Sequence, residues 1–584
     1  MKRSLLFLPL LWLIACSPQE QAKPAASAPE AATASAANDW TLGAMATAAN
    51  PHAVAAAIEI LERGGHAVDA AIAAHAVLGL VEPQSSGIGG GGFMLVYERG
   101  DRSMTFHDGR EVAPAGATVD MFMRNDEVMG FNEARLSGNA VGVPGAVALY
   151  KSAHDRHGNL PWPDLFAPAI RLATNGFEVS PRLANYLPGQ AERGRLAENP
   201  ATAAYFYPAG EPLEAGDILK NPEYAHTLQR IASEGTGAFY SGEIAEAIAA
   251  AAQAGPDGGT LTVEDIAAYE VAVRPVICGD FRDMEICTTS PPSSGGAQVM
   301  IAGLYDHLIA DAATHADKVA AFVDAQRLAY ADRDHYFGDP DEIDIPLDDL
   351  LNPVYLEHRA TERFAPDATP TPGDPGLVLH QDSAAALWAP DTTEEAAGTT
   401  HLSIIDSNGN AVSMTATVES IFGSHRWAAG FVLNNEMTDF AREVPADGSR
   451  LANAVAPGRR PRSSMSPTII FDNDGNIRMV TGSPGGNSIP AYVAKTIIGV
   501  LDWGMSAQEA VDHPNIIARG ETVRVEVSVE PGQAIADDLK ARGYPVQERE
   551  GENSGLHVIV AGPNGLDGAA DKRREGTVGR VPAN

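Results

Sequence analysis

The sequence has 584 residues, is 45% hydrophobic, and carries a formal net charge of −35. That length and apolar share support a large core, but length alone does not decide between one domain and several. The acidic balance argues against nucleic acid as a partner, because phosphates require a basic footprint.

Taken in order, the chain begins with an export pattern. Lys2-Arg3 is a positive end, and residues 5–15 form an apolar run too short to span a bilayer, which takes about twenty residues. Leu13-Ile14-Ala15-Cys16 resembles a bacterial lipoprotein box, with Cys16 as the lipidated residue. The other reading is a plain secretory signal with an incidental cysteine. Ser17 after the box, where an Asp would favour inner-membrane retention, points to a periplasmic protein anchored to the outer membrane. The sequence thus divides into a signal peptide at 1–15 and an Ala/Pro-rich tether at 16–39 with almost nothing to bury.

Folding signals begin at Trp40. Residues 51–63 and 67–80 read as helices, the second apolar nearly all round and so buried. The run Gly87-Ile88-Gly89-Gly90-Gly91-Gly92 fits the dinucleotide fingerprint in letters only. A helix precedes it and a strand (93–97) follows, the reverse of what that site needs. Close backbone packing is the better use of these glycines. The sequence contains no Walker lysine, no H-E-x-x-H and no G-x-S-x-G. Residues 103–107 pair with 93–97 as a hairpin that delivers Arg110, a residue able to clamp a carboxylate with two parallel hydrogen bonds, although taken alone it reads better as a solvated loop arginine. Helical spacing recurs at 146–154, 165–175, 226–233, 243–253 and 320–336.

Cys278 and Cys287 flank Phe281-Arg282-Asp283-Met284. A two-residue turn there sets the cysteines directly opposite each other, within reach of a disulfide. A turn at Gly279-Asp280 would separate them.

Gly398-Thr399-Thr400-His401 follows a polar, turn-prone segment and opens an alternating strand at 402–406. A Thr hydroxyl needs a base to become nucleophilic. If the Gly398–Thr399 bond is cut, the new α-amine of Thr399 can be that base. The same letters also suit an ordinary Thr-rich strand start. Beyond it strands come thickly, at 411–418, 430–433, 468–472 and 478–481. Helices follow at 492–501 and 506–512, then a strand at 523–529, a helix at 533–542 and a strand at 557–561. Strands bracketed by helices before and after predict a layered α/β sandwich.

The glycine run, Arg110-Glu111-Val112-Ala113-Pro114, Pro291-Pro292-Ser293-Ser294-Gly295-Gly296, Thr399-Thr400-His401, Asn434-Asn435-Glu436-Met437, Arg460 through Thr468, and Thr481-Gly482-Ser483-Pro484-Gly485-Gly486 together resemble the γ-glutamyltranspeptidase family, in that family's order. The resemblance implies an N-terminal-nucleophile hydrolase fold, a four-layer αββα sandwich. It implies a proenzyme that cuts between Gly398 and Thr399 into a large chain (40–398) and a small chain (399–584) that stay associated. Carried over, Thr399 is the nucleophile, Thr417 supports it, and Gly485 and Gly486 supply oxyanion N–H groups. Arg110, Ser463 and Ser464 hold the donor's α-carboxylate, and Glu436 and Asp439 hold its α-ammonium. The acyl group passes through a Thr399 ester to water or to an amino-acid or peptide amine. No metal or other cofactor is expected. Glu419 stands where many members have Asn, which adds a carboxylate near the ammonium site or points it elsewhere. The stretch 440–451 is short for a lid and holds no Tyr or Trp. Two other readings compete: a glutaryl or cephalosporin-type acylase on the same fold, and an unprocessed lipid-anchored binding protein.

Overall fold

The structure is a computed structural model that describes residues 40–583, apart from 311, 384–387, 390, 392, 397, 444 and 446–447. The expected signal peptide, the tether and Cys16 lie outside the described residues.

The chain opens on strand β1 (Ala44–Ala48) and helices α1 (Pro51–Glu62) and α2 (Ala67–Val81). The hairpin β2 (Gly91–Glu98) and β3 (Ser103–Gly109) follows. After a helical stretch come β4 (Ala272–Arg274), β5 (Val276–Phe281) and β6 (Met284–Thr289), then α3 (Gly295–Leu308) and α4 (His315–Tyr336). The rest contains β7 (Thr399–Ile405), β8 (Ala411–Thr417), β9 (Thr468–Asp472), β10 (Ile477–Gly482), α5 (Ile489–Leu501), β11 (His557–Gly562), β12 (Gly565–Ala570) and β13 (Thr577–Val581).

Two antiparallel sheets organise the molecule. One is seven-stranded, in the order β13-β1-β7-β8-β2-β3-β4; the other is six-stranded, in the order β12-β11-β10-β9-β6-β5. The period of two along a strand assigns each side chain to a layer. In β2, Met94 and Val96 join a core with α1 and α2, whereas Phe93, Leu95 and Tyr97 join a second core shared with the other sheet and α3, α4 and α5. With both faces buried, β2 reads as a continuous apolar run. The result is the four-layer αββα sandwich.

Helix α4 starts earlier than its apolar spacing indicates, because Thr314 and Asp317 form a capping box ahead of it. Strands β1, β12 and β13 went unread, as did most of a small three-stranded sheet of Ile516–Arg519, Thr522–Glu526 and Val546–Arg549. In the β5–β6 hairpin, Phe281 pairs with Met284 and Cys278 with Cys287, and the two sulfurs are bonded. Among the described residues, the one grouping of His, Cys and acidic side chains close enough for a metal is Cys278, Glu285 and Cys287. That disulfide already consumes its sulfurs.

The glycine run packs backbone on backbone. A Cβ on Gly89 would lie 2.1 Å from the Val432 carbonyl oxygen, and one on Gly90 would lie 1.9 Å from that of Thr417. Gly90 therefore lets β2 close onto the end of β8. Gly90→Ala should destabilise the protein by about 1–3 kcal/mol, the usual range for overpacking, and shift Thr417. Denaturant unfolding of the variant beside wild type checks this; equal midpoints would show that the contact is slack.

Candidate active site

Thr399 is the first residue of β7 and Thr417 the last of β8, and the antiparallel register pairs them directly. Both strands lie inside the seven-stranded sheet, so neither can slip without disrupting its neighbours. The Thr399 and Thr417 hydroxyl oxygens are 3.1 Å apart. Thr417 Oγ1 donates to the Gly398 carbonyl oxygen at 3.0 Å and accepts the Glu419 N–H at 2.8 Å. A hydroxyl has one proton and two lone pairs. Those two contacts leave one lone pair on Thr417, and the Thr399 hydroxyl donates into it. Thr417 thus orients the Thr399 hydroxyl and polarises the carbonyl just before it.

Glu419 braces the segment leading to Thr399. Its backbone is left-handed, with φ 75°, a strained state for a side chain of this size. Its carbonyl accepts the Gly398 N–H at 2.7 Å. One carboxylate oxygen accepts the Ala396 N–H at 2.7 Å, and the other accepts from Ser420 Oγ and Asn435 Nδ2. With the chain uncut, these bonds engage both carboxylate oxygens of Glu419.

Arg110 follows β3 and is buried. Its Nη1 donates to Glu436 and its Nη2 donates to Asp439 at 2.6 Å. Its Nε donates to the Pro461 carbonyl at 3.1 Å, and Nη2 also donates to that of Arg462 at 2.8 Å. Glu436 and Asp439 bound a 3₁₀ turn, anchored where the Glu436 N–H donates to Asn434 Oδ1 at 3.0 Å. Glu111 stands 4.0 Å from the same guanidinium, so one cation faces three buried carboxyls. Burial, reinforced by neighbouring carboxylates and opposed by Arg110, holds Glu111, Glu436 and Asp439 well above the ordinary carboxylate range. Glu436 Oε2 and Asp439 Oδ1 are buried with no hydrogen-bond partner.

The two serines are pinned by α3 and its approach. The Ser463 N–H donates to the Pro292 carbonyl at 2.8 Å, and Ser294 Oγ donates to the Ser463 carbonyl at 2.7 Å. Ser464 has an unanticipated neighbour. Its N–H donates to Glu395 Oε2 at 2.7 Å, and its Oγ accepts from Arg333 Nη2 at 2.8 Å. Arg333 Nη2 also donates to Glu395 Oε1 at 2.5 Å. Burial works against the charge on Glu395, but Arg333 and Arg462 outweigh it and hold its pKa below the usual value. The sequence reading missed both Arg333 and Glu395. Arg333 had a signal: it is an arginine on a helix, α4, whose neighbours Ala329, Tyr330 and Tyr336 mark a buried face.

Gly485 and Gly486 lie between β10 and α5 with φ 140° and 56°. A Cβ on Gly486 would come within 2.3 Å of the Glu395 carbonyl oxygen. Thr399, Thr417, Arg110, Glu419, Glu436, Asp439, Ser463 and Gly486 all line one cavity of about 10 Å³, room for one water. Glu395 and Ala396 form part of its wall. Gly485 borders the wider cleft next door, of about 460 Å³, which Glu395 and Ala396 also line.

The chain is similar to proteins of known family. The family described as gamma-glutamyltranspeptidase matches residues 53–581. A glutathione hydrolase proenzyme of Bacillus subtilis (strain 168) is 37% identical over 481 residues, covering 81% of this chain and 80% of its own. The glutathione hydrolase proenzyme of Escherichia coli (strain K12) is 36% identical and covers 88% of each. A solved cephalosporin acylase from Bacillus halodurans superposes with TM-score 0.80 at 26% identity, over 97% of this chain and 99% of its own.

Because Glu395 is paired in the uncut fold, its loss leaves Arg333 Nη2 and the Ser464 N–H without that acceptor, while Asp334 still accepts from Arg333 Nη1 at 2.8 Å. In an uncleaved Thr399→Ala background, adding Glu395→Ala should destabilise the fold by about 1.5–3 kcal/mol, the scale of lost hydrogen bonds to a charged group, with Glu395→Gln costing less. The depressed pKa sets the sign with pH. The contribution is present at neutral pH, above the unfolded-state pKa, and is lost as pH falls through the lower folded value. Denaturant midpoints for the three proteins across the acid range check both statements.

Proposed function

The chain belongs to the γ-glutamyltranspeptidase family, and from that premise we propose that Thr399 is both the point of self-cleavage and the nucleophile of γ-glutamyl transfer. Like its proenzyme relatives, the chain matures by cutting itself in two. The Thr399 hydroxyl attacks the Gly398 carbonyl carbon while Thr417 donates to the carbonyl oxygen. The acyl group moves from nitrogen to oxygen, and water then hydrolyses the ester. The products are a Gly398 carboxylate and a free α-amine on Thr399, which serves as base thereafter. The large chain is 40–398 and the small chain 399–584.

The mature site cleaves the γ-glutamyl amide of glutathione and related compounds. Thr399 attacks the γ-carbonyl, and Gly485 and Gly486 present N–H groups to the developing oxyanion. The amine leaves with the proton. Water or an amino-acid or peptide amine then takes the acyl group from Thr399. Arg110, Ser463 and Ser464 receive the α-carboxylate; Glu436 and Asp439 receive the α-ammonium, with Glu419 beside them.

One observation carries the choice of head group. Arg110 stands among three buried carboxyls, and four of their oxygens, both of Glu111 with Glu436 Oε2 and Asp439 Oδ1, have no hydrogen-bond partner. A zwitterionic head group sets its cation against partnerless oxygens and its carboxylate against the guanidinium, so each of its own charges meets an opposite one. A glutaryl chain supplies only the carboxylate and leaves the acids uncompensated. The shared fold of the cephalosporin acylase does not separate the two substrates, whereas this charge balance does.

The same reading places the chain on a membrane. Residues 1–15 direct export, lipid is added to Cys16, and residues 16–39 tether the enzyme in the periplasm to the outer membrane.

N-terminal sequencing of the small chain should begin at Thr399, and Thr399→Ala should remain a single, inactive chain. A start at any other residue removes Thr399 from the nucleophile's role. On the processed enzyme, kcat/KM should favour a γ-glutamyl anilide over the matched glutaryl anilide. Asp439→Asn should lower the γ-glutamyl value by about a hundredfold or more, the scale of one lost partner in a desolvated charge pair. Equal values for the two anilides would transfer the assignment to the acylase.

A further inference from the structure

Of the three carboxyls around Arg110, Glu436 and Asp439 line the cavity at Thr399 and Glu111 does not. Glu111 is set back from it and fully buried. Neither of its carboxyl oxygens has a hydrogen-bond partner. The cation that faces it is Arg110, whose Nη1 stands 4.0 Å from Oε2. That guanidinium is already engaged by Glu436, Asp439 and the carbonyls of Pro461 and Arg462. A carboxylate buried without a donor is far more costly than a neutral acid, so a group in this position takes up a proton.

Resting on the γ-glutamyl reading, we infer that Glu111 serves as a carboxylic acid and not as a carboxylate: it keeps its proton, donates a hydrogen bond to Glu436, and so positions Glu436 for the donor's ammonium. The geometry decides which of the two acids holds the proton. Glu436 Oε1 accepts directly from Arg110 Nη1, which favours the ionised form, and Glu111 has no such bond. Burial and the Glu436 charge push Glu111 well above the ordinary carboxylate range, and the pull of Arg110 and of its own backbone N–H does not offset them. Burial raises Glu436 as well, but Arg110 and the hydrogen bond from Glu111 both draw it back toward ionisation. A bound ammonium meets Glu436 in the cavity wall and not Glu111, which widens the difference. A neutral donor thus fixes Glu436 without adding a third negative charge to a cluster that has one cation.

The surroundings of Glu111 hold it to that role. A Cβ on Gly91 would lie 2.6 Å from Glu111 Oε2, and one on Gly142 would lie 3.0 Å from Glu111 Cβ. Two walls of its pocket are therefore glycine backbone. Asn434 Oδ1 accepts the N–H groups of both Gly142 and Glu436, at 2.9 and 3.0 Å, so one amide ties that wall to the carboxyl that Glu111 meets. The other titratable groups within its electrostatic reach are Tyr240 and Tyr269, both kept neutral by burial. Their protons are committed elsewhere: the Tyr240 hydroxyl donates to the Pro144 carbonyl at 3.0 Å, and that of Tyr269 to the Arg110 carbonyl at 2.8 Å.

The test measures γ-glutamyl-p-nitroanilide turnover by processed wild type, Glu111→Gln and Glu111→Met. Gln keeps an N–H donor at zero charge; Met keeps much of the volume and has no donor. Met should raise KM about tenfold, the scale of a hydrogen bond to a charged group, with kcat little changed. Gln should recover most of that loss. A Gln variant as impaired as Met overturns the proposal, because an anion would then be what the site needs. A Met variant with unaltered KM, or one that loses kcat alone, overturns it too. Infrared difference spectra of wild type minus Glu111→Gln at neutral pH supply a reading apart from activity, and can be taken on uncleaved Thr399→Ala chains if a variant processes poorly. They should contain the carbonyl stretch of a protonated carboxylic acid. A carboxylate band in its place, with anilide turnover intact, overturns this proposal and leaves the γ-glutamyl reading standing. A processed wild-type enzyme inert toward the anilide overturns that reading and the positioning role together.

Discussion

The constraint on which the rest depends is the register of β7 against β8. It sets Thr399 opposite Thr417 at the ends of two interior strands. An interior strand exchanges hydrogen bonds on both edges, so a one-residue slip would turn every side chain to the wrong layer. The geometry of the hydroxyl pair is therefore set by the sandwich as a whole, not by a loop. Gly90 belongs to the same constraint, since its missing side chain lets β2 close on the Thr417 backbone. Strain gathers at the next turn, where Glu419 is held left-handed while its carboxylate and carbonyl grip the residues before Thr399.

Charge organises the layer around those hydroxyls. Burying Arg110, Glu111, Glu436 and Asp439 together is costly, and their own pairing does not cancel it, because the acids outnumber the cation. A fold that only needed stability would do better with apolar side chains there. The Glu395–Arg333–Ser464 arrangement follows similar logic on the other side of the cavity, with the difference that its anion belongs to the chain itself. The uncut protein thus fills its own site, leaving room for little more than one water.

Much of this was legible in the sequence, for identifiable reasons. Strands buried on both faces announce themselves as apolar runs, so β2 and β8 were readable. The Cys278–Cys287 pairing followed from a two-residue turn at Arg282-Asp283. The residues gathered around Thr399 came from short motifs, which mark where backbone and charge must lie close together. What escaped had no such local signal. β1, β12 and β13 are short, and two of them are rich in Ala or Gly. The arginine-bearing sheet alternates weakly, because its outward face carries Arg519, Arg524 and Arg549 at spacings that also suit a solvated loop. Glu395 looked like turn filler, since only the tertiary fold brings Ser464 and Arg333 to it.

The segment before Thr399 connects these observations. Its main chain is held by Asn487, Arg519 and Glu419, and its Glu395 carboxylate by Ser464 and Arg333. Each of these is a contact that a bound peptide or amino acid could make. The precursor therefore folds around a peptide covalently part of itself, and the groups that hold it are assembled before any substrate arrives. Their desolvation and side-chain ordering are met during folding, when the core supplies the driving force, and not at each binding event. Cutting at Thr399 would then release the occupant's hold on a preorganised site, which is the condition under which binding loses least to entropy. On this argument the acidic pre-nucleophile segment has a role apart from supplying a scissile bond: it is the template on which the cavity and the cleft are built.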